Sequence, residues 1–472
     1  MPKLSQRRRL LVLAICCMSL LIVGMDITIV NVALPSIRSD LHVSLSGLQW
    51  TIDAYVLVLA SLLMLSGSTA DRLGRRRIFQ TGLVVFTFGS LLCSLAPGLG
   101  WLIAFRMIQA VGASMLNPVA MSIITNVFTQ PRERARAIGV WGGVIGISLG
   151  LGPVVGGVLV ETVGWRSIFW INIPIGLVAI ALTARFVPES RAPRPRRVDA
   201  VGQLLVIVVL ASLTYAIIDA PRAGWTSLTT LGLLGLTIAA IGSLLAYEPA
   251  RVDPLLELRF FRSAPFSGAT VIAVSAFGAF SGFLFINTLY LQDVRGLSAL
   301  QAGLCTLPLA VMTLVFAPIS GRLVGSRGPR LPLIAAGFAM CAGGLMLVRL
   351  ETYTPLAWLL ASYVVFGLGF GLVNAPITNT ALSGMPRSQA GVAAAIASTS
   401  RQVGSALGVA VVGSVLASGL AGPLRTGFAA ASHTAWWIIV GCGLAVLGIG
   451  ALTTGTWAVG TAARTAQLFD AD

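Results

Sequence analysis

The chain has 472 residues, of which 56% are hydrophobic and only 10% are charged, and its mean hydropathy is +0.90. This composition excludes an ordinary soluble domain and predicts a membrane protein. The net charge of +16 fits loops that face anionic lipid headgroups, and because the arginines are dispersed over several short loops, we expect no nucleic-acid partner.

Apolar stretches long enough to cross the hydrocarbon core follow one another along the chain. We predict an all-α polytopic membrane protein with fourteen transmembrane helices, so both termini lie on one side. The predicted spans are residues 10–35, 48–68, 78–96, 100–125, 136–160, 167–187, 200–219, 228–247, 266–291, 300–321, 331–349, 356–381, 389–418 and 434–457.

The basic residues indicate which side that is. The N-terminus and every second loop after it hold 24 of the 32 Lys and Arg residues, and the alternate loops hold six. Lys and Arg accumulate in cytoplasmic loops, so both termini are expected inside the cell. We predict a multi-pass protein of the cytoplasmic (inner) membrane of a bacterium.

Helix 1 contains the stretch GMDITIVNVALP, residues 24–35, in which Asp26 is the only charged residue. A charge at the bilayer centre costs at least ~2.5 to 3.5 kcal/mol and is rarely retained without a function. The basic start of this helix resembles a signal peptide, but the apolar stretch is too long and has no small-residue cleavage site. We therefore expect helix 1 to be retained.

Helix 4 offers a partner for this carboxylate. Besides Asp26, only Arg106 and Arg401 lie clearly inside predicted spans, and Arg106 lies near the depth of Asp26. The two side chains meet if helices 1 and 4 are adjacent. Desolvation and a nearby guanidinium act in opposite directions on a carboxylate, so such a pair can load and release a proton as its geometry changes. The alternative is a permanent salt bridge that only ties two helices together.

Helix 2 and the loop after it carry further charge. Asp53, in QWTIDAY, is either a headgroup-level charge or a group that binds a cation or proton. The loop GSTADRLGRRR either enforces topology or latches one gating state, since Asp71 can accept hydrogen bonds from arginines and face a helix dipole. The candidate gating residues are Gly67, Asp71, Arg72, Gly74 and Arg75.

Helix 5 is rich in glycine and contains GISLGLGPVVGG, residues 146–157. Glycines four apart, from Gly142 through Gly146 to Gly150, line one face and allow close approach of another helix. Pro153 removes a backbone hydrogen bond and is expected to bend the helix. The motif residues are Gly146, Gly150, Gly152, Pro153, Gly156 and Gly157.

Several neutral side chains inside the spans either contact a substrate or hydrogen-bond helices together. They are Gln109, Asn117, Asn287, Asn374 and Gln402. The aromatic series of helix 9 (Phe277, Phe280, Phe283 and Phe285) forms either an apolar pocket or a lipid-facing surface. Arg401 has no acidic partner in its own helix.

Metal and cofactor chemistry is not expected. Lys3 is the only lysine, which excludes a lysine-containing phosphate loop and hence an ATP-driven motor within this chain. The two histidines lie in outer loops, and the six cysteines form no CxxC pair.

An internal repeat organises the chain. GSTADRLGRRR (residues 67–77) is echoed by GRLVGSRGPR (residues 321–330), with glycines seven apart in both, and Pro131-Arg132 is echoed by Pro386-Arg387. The repeat pairs helices 1 to 6 with helices 9 to 14. We therefore predict an N-terminal six-helix lobe (1–187), a linker with two inserted helices and a following loop (188–264), a C-terminal lobe (265–457) and a cytoplasmic tail (458–472).

The motifs in this order resemble those of the major facilitator superfamily, specifically its fourteen-helix drug:proton antiporters of the EmrB/QacA type. Besides the loop after helix 2, the resemblance rests on GMDITIVNVALP, RMIQAVGAS (106–114), GISLGLGPVVGG and WRSIFWINIPIG (165–176). The resemblance implies that helices 1 and 4 are adjacent and that the bend in helix 5 helps to couple exchange. Related exporters often have an acid in the region of Arg401, and its absence here argues against dicationic substrates.

The predicted protein is a monomeric secondary transporter, not an enzyme. It exports small amphipathic compounds, cationic or neutral, in exchange for protons, with the proton motive force in place of a cofactor. Asp26 carries the proton and Arg106 tunes it. The alternatives are a dedicated exporter of one endogenous metabolite or self-made antibiotic, and an uncoupled membrane scaffold or channel-like protein.

Overall fold

The computed structural model describes residues 5–192, 199–251, 254–385 and 389–470. Within these ranges all regular secondary structure is helical, joined by turns and short loops, and there are no strands. The predicted all-α fold is confirmed. The α-helices are α1 (Gln6–Leu41), α2 (Leu45–Leu73), α3 (Arg75–Ser94), α4 (Leu99–Ser114), α5 (Asn117–Val127), α6 (Pro131–Thr162), α7 (Ser167–Trp170), α8 (Asn172–Phe186), α9 (Ala200–Ala223), α10 (Leu228–Tyr247), α11 (Ala264–Leu289), α12 (Ala299–Cys305), α13 (Leu307–Arg327), α14 (Arg330–Leu345), α15 (Leu356–Leu382), α16 (Ala390–Gly419), α17 (Leu424–Thr453) and α18 (Thr456–Asp470).

Thirteen helical segments of the described chain are long and apolar enough to cross a membrane. Three of them join two helices across a short break, namely Leu99–Val127, Ser167–Phe186 and Ala299–Arg327. The eleventh predicted span, 331–349, contains only the 16-residue α14, because residues 346–349 form turns. The predicted count of fourteen is therefore not confirmed.

Several helix boundaries differ from the prediction; the last predicted span, 434–457, corresponds to α17, which already begins at Leu424. Helix α1 does not end at Pro35 but continues to Leu41, where the αL residue His42 caps it. Pro35 removes one backbone hydrogen bond, but Ile37 in the following turn is completely buried, so its packing outweighs that loss. The loop predicted after helix 2 is also largely helical, since α2 extends to Leu73 and α3 begins at Arg75.

The segment predicted as a tail forms helix α18. The Thr461 hydroxyl accepts a hydrogen bond from the backbone N–H of Ala264 at 2.9 Å, at the start of α11. The Phe469 ring of α18 lies 5.4 Å from the ring of Phe260, and Phe260 belongs to the short 3₁₀ segment Leu258–Arg262. These contacts hold the last helix against the segment that leads into α11.

The chain divides into two compact units. The first unit comprises Met1–Gln203 and Ser298–Leu304, and the second comprises Leu204–Leu297 and Cys305–Asp472. In the first unit α1 packs on α6 and α8, and α4 packs on α2 and α3; in the second, α11 packs on α16 and α17, and α15 packs on α13 and α14. The same helix pairs thus pack in both units, as the sequence repeat leads one to expect. The predicted lobe boundaries stay predictions.

Two features from the sequence lie outside the described residues. They are the arginine-rich part of the linker, with Arg194, Arg196 and Arg197, and the Pro386-Arg387 pair of the repeat.

Candidate functional site

Asp26 lies completely buried on α1 in the first unit, where three side chains donate hydrogen bonds to its carboxylate. Arg106 Nη1 of α4 lies 2.5 Å from Oδ2. Gln109 Nε2, one turn further along α4, lies 2.8 Å from Oδ1, and Asn172 Nδ2 of α8 lies 3.2 Å from the same oxygen. The structure therefore brings Asp26 and Arg106 together, as the sequence predicted, and adds two amides.

Arg106 is also buried, with an exposure of 1%. Its Nη1 donates to Gln109 Oε1 at 2.7 Å and its Nε donates to the Thr51 carbonyl of α2 at 3.4 Å. The guanidinium carbon lies 4.1 Å from the centre of the Tyr55 ring, in cation–π distance. The positive charge is thus held by one carboxylate, two dipoles and an aromatic face.

The chemistry of this site depends on the charge of Asp26. Every described polar contact of its carboxylate is a donor, so the arrangement matches an ionised side chain that only accepts hydrogen bonds. Protonation would place an O–H group against these donors and remove the charge that faces Arg106. Gain or loss of one proton therefore changes the forces between α1, α4 and α8.

Sequence reasoning did not identify two members of the network. Ser90 of α3 lies 2.6 Å from Gln109 Nε2 and 3.3 Å from Asn172 Nδ2, so it links both amides. Asn172 belongs to the stretch WRSIFWINIPIG, where a polar residue at the break between α7 and α8 was the available signal. Nothing in the sequence distinguishes Ser90 from other serines inside spans.

The same stretch contacts α1 at its C-terminal end. Trp165 Nε1 and Arg166 Nη1 donate to Asp40 Oδ2 at 2.9 and 2.7 Å. One sequence motif therefore holds α1 both at its end and, through Asn172, at its middle.

The glycines of α6 contact the opposite side of α1, but they are not those predicted to line the close face. Gly142 has open space around its Cα, whereas a methyl group on Gly152 would overlap the Thr28 hydroxyl, and one on Gly156 would lie 2.6 Å from Ile29 Cγ1. The close face consists of residues 148, 152 and 156, which are also four apart. The error arose because several glycine series in this helix share the same spacing. Gly146 and Gly150 are partly exposed, and α6 is continuous through the buried Pro153.

Gly157 and Pro153 contact a different helix. A methyl group on Gly157 would lie 2.6 Å from the Leu300 Cα, and the Pro153 carbonyl lies against Gly303, both in α12. The end of the motif is thus a second tight contact of α6.

The turn between α2 and α3 consists of Gly74 alone, with φ +117°, a conformation that side chains other than glycine rarely adopt. Asp71 accepts two hydrogen bonds from Arg75, at 3.0 and 2.9 Å. The carboxylate at the start of α3 is that of Glu189, which accepts from the Arg76 backbone N–H at 3.1 Å. The sequence predicted that Asp71 faces the positive end of a helix dipole. In the structure, the carboxylate at that end of α3 is Glu189. Gly67 and Arg72 lie within α2, and Arg72 is exposed.

Asp53 is completely buried in α2, and neither carboxylate oxygen has a hydrogen-bond partner among the described residues. This burial does not fit the alternative of a headgroup-level charge. Tyr55, two residues away, faces Arg106, so Asp53 lies on another side of α2 and outside the Asp26 network.

The neutral substrate candidates have different surroundings. Gln109 belongs to the Asp26 network. Asn287 is buried in the second unit, where its Oδ1 accepts from the Tyr363 hydroxyl at 2.7 Å and its Nδ2 donates to the Phe283 carbonyl at 2.8 Å, so it joins α11 to α15. Asn117, Asn374 and Gln402 are partly exposed and stay candidates.

The aromatic series of α11 lies inside the second unit. Phe280, Phe283 and Phe285 are all at most 5% exposed. Phe280 stacks on Phe370 of α15 with ring centres 4.0 Å apart, and Phe277 contacts the same ring edge-on at 5.2 Å. The lipid-facing alternative does not fit this burial.

Comparison with known proteins agrees with this architecture. Residues 16–409 match the Major Facilitator Superfamily. The chain is 37% identical over 419 residues to the multidrug resistance protein Stp of Mycobacterium tuberculosis, covering 89% of this chain and 78% of Stp. It is 36% identical to the tetracenomycin C resistance and export protein of Streptomyces glaucescens, covering 84% of this chain and 74% of that protein. An inward-facing bacterial homologue of the lysosomal transporter Spinster has a TM-score of 0.67 at 17% identity, with 98% of both chains covered.

Proposed function

This chain belongs to the Major Facilitator Superfamily, and from that premise we propose that it exports amphipathic drugs or antibiotics across the cytoplasmic membrane in exchange for protons. Its relatives and structural neighbours are transporters rather than enzymes. In this proposal the units alternate access to a small organic cargo, a monomer suffices, and the proton motive force supplies the energy without a cofactor.

One observation carries the proposal: a completely buried Asp26 is held by donors from α4 and α8, with Arg106 as its counter-charge. Protonation from the outer side removes the carboxylate charge and weakens the hold on α1. Release of the proton to the inside restores the carboxylate charge and, with it, the contacts that hold α1. In this proposal Asp26 is the proton carrier, and Arg106 is the counter-charge of its carboxylate.

The opposite side of α1 supports this role. Gly24 of α1 lies against Ser148 of α6, and Gly152 lies against Thr28, so this contact consists of small side chains. Such a surface allows one helix to shift along another with little rearrangement of side chains. Loss of the charge on one side of α1 can therefore be followed by movement on the other.

The energy available per proton is sufficient for useful export. A pH difference of one unit supplies ~1.4 kcal/mol. A potential of 100 mV supplies ~2.3 kcal/mol for each net charge that crosses. For a neutral cargo each proton moves one net charge, so the two contributions together support a cargo gradient of several hundredfold per proton.

The turn after α2 is the proposed gating element. Its conformation depends on Gly74, on the Asp71–Arg75 ion pair and on Glu189 at the start of α3. Asp53 and the partly exposed Asn117, Asn374 and Gln402 are the proposed cargo contacts.

A narrower cargo range is the second candidate. It is favoured by relatives whose names refer to a single antibiotic, as in the tetracenomycin C resistance and export protein. A growth assay over a panel of antibiotics and dyes separates the two, because a dedicated exporter protects against one compound only.

The test of coupling uses purified protein in liposomes and a fluorescent amphipathic dye. We expect uphill dye movement in the wild type when a pH difference is imposed and none in Asp26→Asn. The matched control is Asp40→Asn, which changes a half-exposed carboxylate at the end of the same helix. Uphill transport that persists in Asp26→Asn, or after ionophores collapse both gradients, would overturn the proposal.

A further inference from the structure

Arg401 lies in the middle of α16 and is held by little that the described chain provides. Its Nη2 donates to the Thr378 hydroxyl of α15 at 2.5 Å. Its Nε is buried without a partner. A guanidinium has five N–H donors, so most of the hydrogen-bonding capacity of Arg401 is unused.

No carboxylate is built into the surrounding helices. The helices that pack most extensively on α16 are α11, α15 and α17, and their sequences, like that of α16 itself, contain no Asp or Glu. The buried arginine of the first unit differs in this respect, because Arg106 faces Asp26 at 2.5 Å. A charge within a transmembrane bundle is costly and is normally paired. The described helices that pack most extensively on α16 thus supply no acid for this guanidinium.

The surroundings of Arg401 are aromatic. The guanidinium carbon lies 5.9 Å from the centre of the Phe277 ring, within cation–π range. Phe277 packs on Phe370, which stacks on Phe280. The charge therefore lies at the edge of a cluster of three rings. Arg401 is not completely buried, and the partly exposed part of its side chain is where the proposed cargo would contact it.

From these observations we infer that Arg401 binds an anionic group, a carboxylate or phenolate, of an aromatic cargo molecule. The planar guanidinium offers paired donors that match a carboxylate, and the phenylalanine cluster accommodates the cargo's rings. This inference rests on the proposed export function and specifies a cargo class for it. A guanidinium at this place also disfavours dications, in agreement with the expectation from the sequence.

The test compares rhodamine B with its ethyl ester, which differ only in whether the carboxylate is free. Binding is measured by fluorescence anisotropy on the purified full-length protein, so its outcome does not depend on coupling. We expect Arg401→Gln to weaken binding of rhodamine B about tenfold or more, equivalent to ~1.4 kcal/mol. Binding of the ester should change less than twofold. Arg401→Lys keeps the positive charge but loses the paired N–H donors of the guanidinium, so it should give an intermediate loss of affinity for rhodamine B.

Two controls make the result specific. Arg425→Gln removes an exposed arginine at the start of α17 and should leave both affinities unchanged. Replacing chloride by gluconate shows whether an inorganic anion is the occupant. Equal effects of Arg401→Gln on the two dyes, or chloride-dependent binding without discrimination between them, would overturn the inference.

Transport measurements separate this inference from the proposed function. Asp26→Asn should abolish uphill movement of both dyes, whereas Arg401→Gln should impair only that of the free acid. If the wild type moves neither dye uphill but still distinguishes them in binding through Arg401, the coupling proposal fails while the anion site stands.

Discussion

A double-mutant cycle on Asp26 and Arg106 distinguishes a proton-coupling pair from a permanent tie between two helices. In Asp26→Asn the buried guanidinium keeps only neutral partners: the Gln109 amide, the Thr51 carbonyl and the Tyr55 ring. Breaking a buried pair by removing one partner costs about 3–5 kcal/mol, because the other charge stays buried. We expect each single variant, Asp26→Asn or Arg106→Gln, to lose a free energy of unfolding of this order.

The double variant contains no buried charge without a counter-charge, and the two introduced side-chain amides can hydrogen-bond with Gln109. Its loss of stability should therefore be smaller than the sum of the single losses by about 2–3 kcal/mol. The free energies come from unfolding of purified protein in mixed micelles with a denaturing detergent, followed by circular dichroism. The same cycle on Asp40 and Arg166, whose side chains are 47% and 37% exposed, is the control and should give less than about 1 kcal/mol.

Transport then separates the two roles. If Asp26 carries the proton, the double variant regains stability but not uphill efflux, since no titratable group replaces the carboxylate. A double variant that regains both would show that the pair only ties α1 to α4. A coupling energy below about 0.5 kcal/mol would contradict the buried geometry itself.

Three further predictions concern the packing of the helices. Gly74→Ala should destabilise the protein by about 1–3 kcal/mol, because its φ is +117° and a methyl group would lie 2.6 Å from Glu189 Oε1; thermal unfolding measures this, and an unchanged midpoint would contradict the strained turn. Gly152→Ala should lower stability by about 1–3 kcal/mol while Gly142→Ala, in open space, should not; equal effects would disprove the α1–α6 contact. Tyr363→Phe leaves a buried amide oxygen unsatisfied and should cost about 1–3 kcal/mol without altering the range of compounds exported; a changed range in the growth panel would place this hydrogen bond at the cargo site.

The sequence by itself determined the membrane class, most of the helices and the central pair. Long apolar stretches can satisfy the hydrogen-bonding groups of their backbone in a bilayer only as helices. The composition and the helical period of these stretches are therefore sufficient to assign them as membrane-spanning helices. Asp26 and Arg106 were visible because charges inside such stretches are rare and costly. The repeat was visible because the two loops keep the same spacing of glycines.

Tertiary structure alone decided which faces meet. The helical period brings Gly152 and Gly156 to one side and Gly146 and Gly150 to another, but it does not say which side contacts α1. Ser90 and Asn172 join the Asp26 network only because α3 packs beside α4 and α8 packs beside α1 and α3, a long-range arrangement that no local pattern encodes. For the same reason α1 continues beyond Pro35: burial of Ile37 in the following turn outweighs the lost hydrogen bond, and burial is a property of the whole fold.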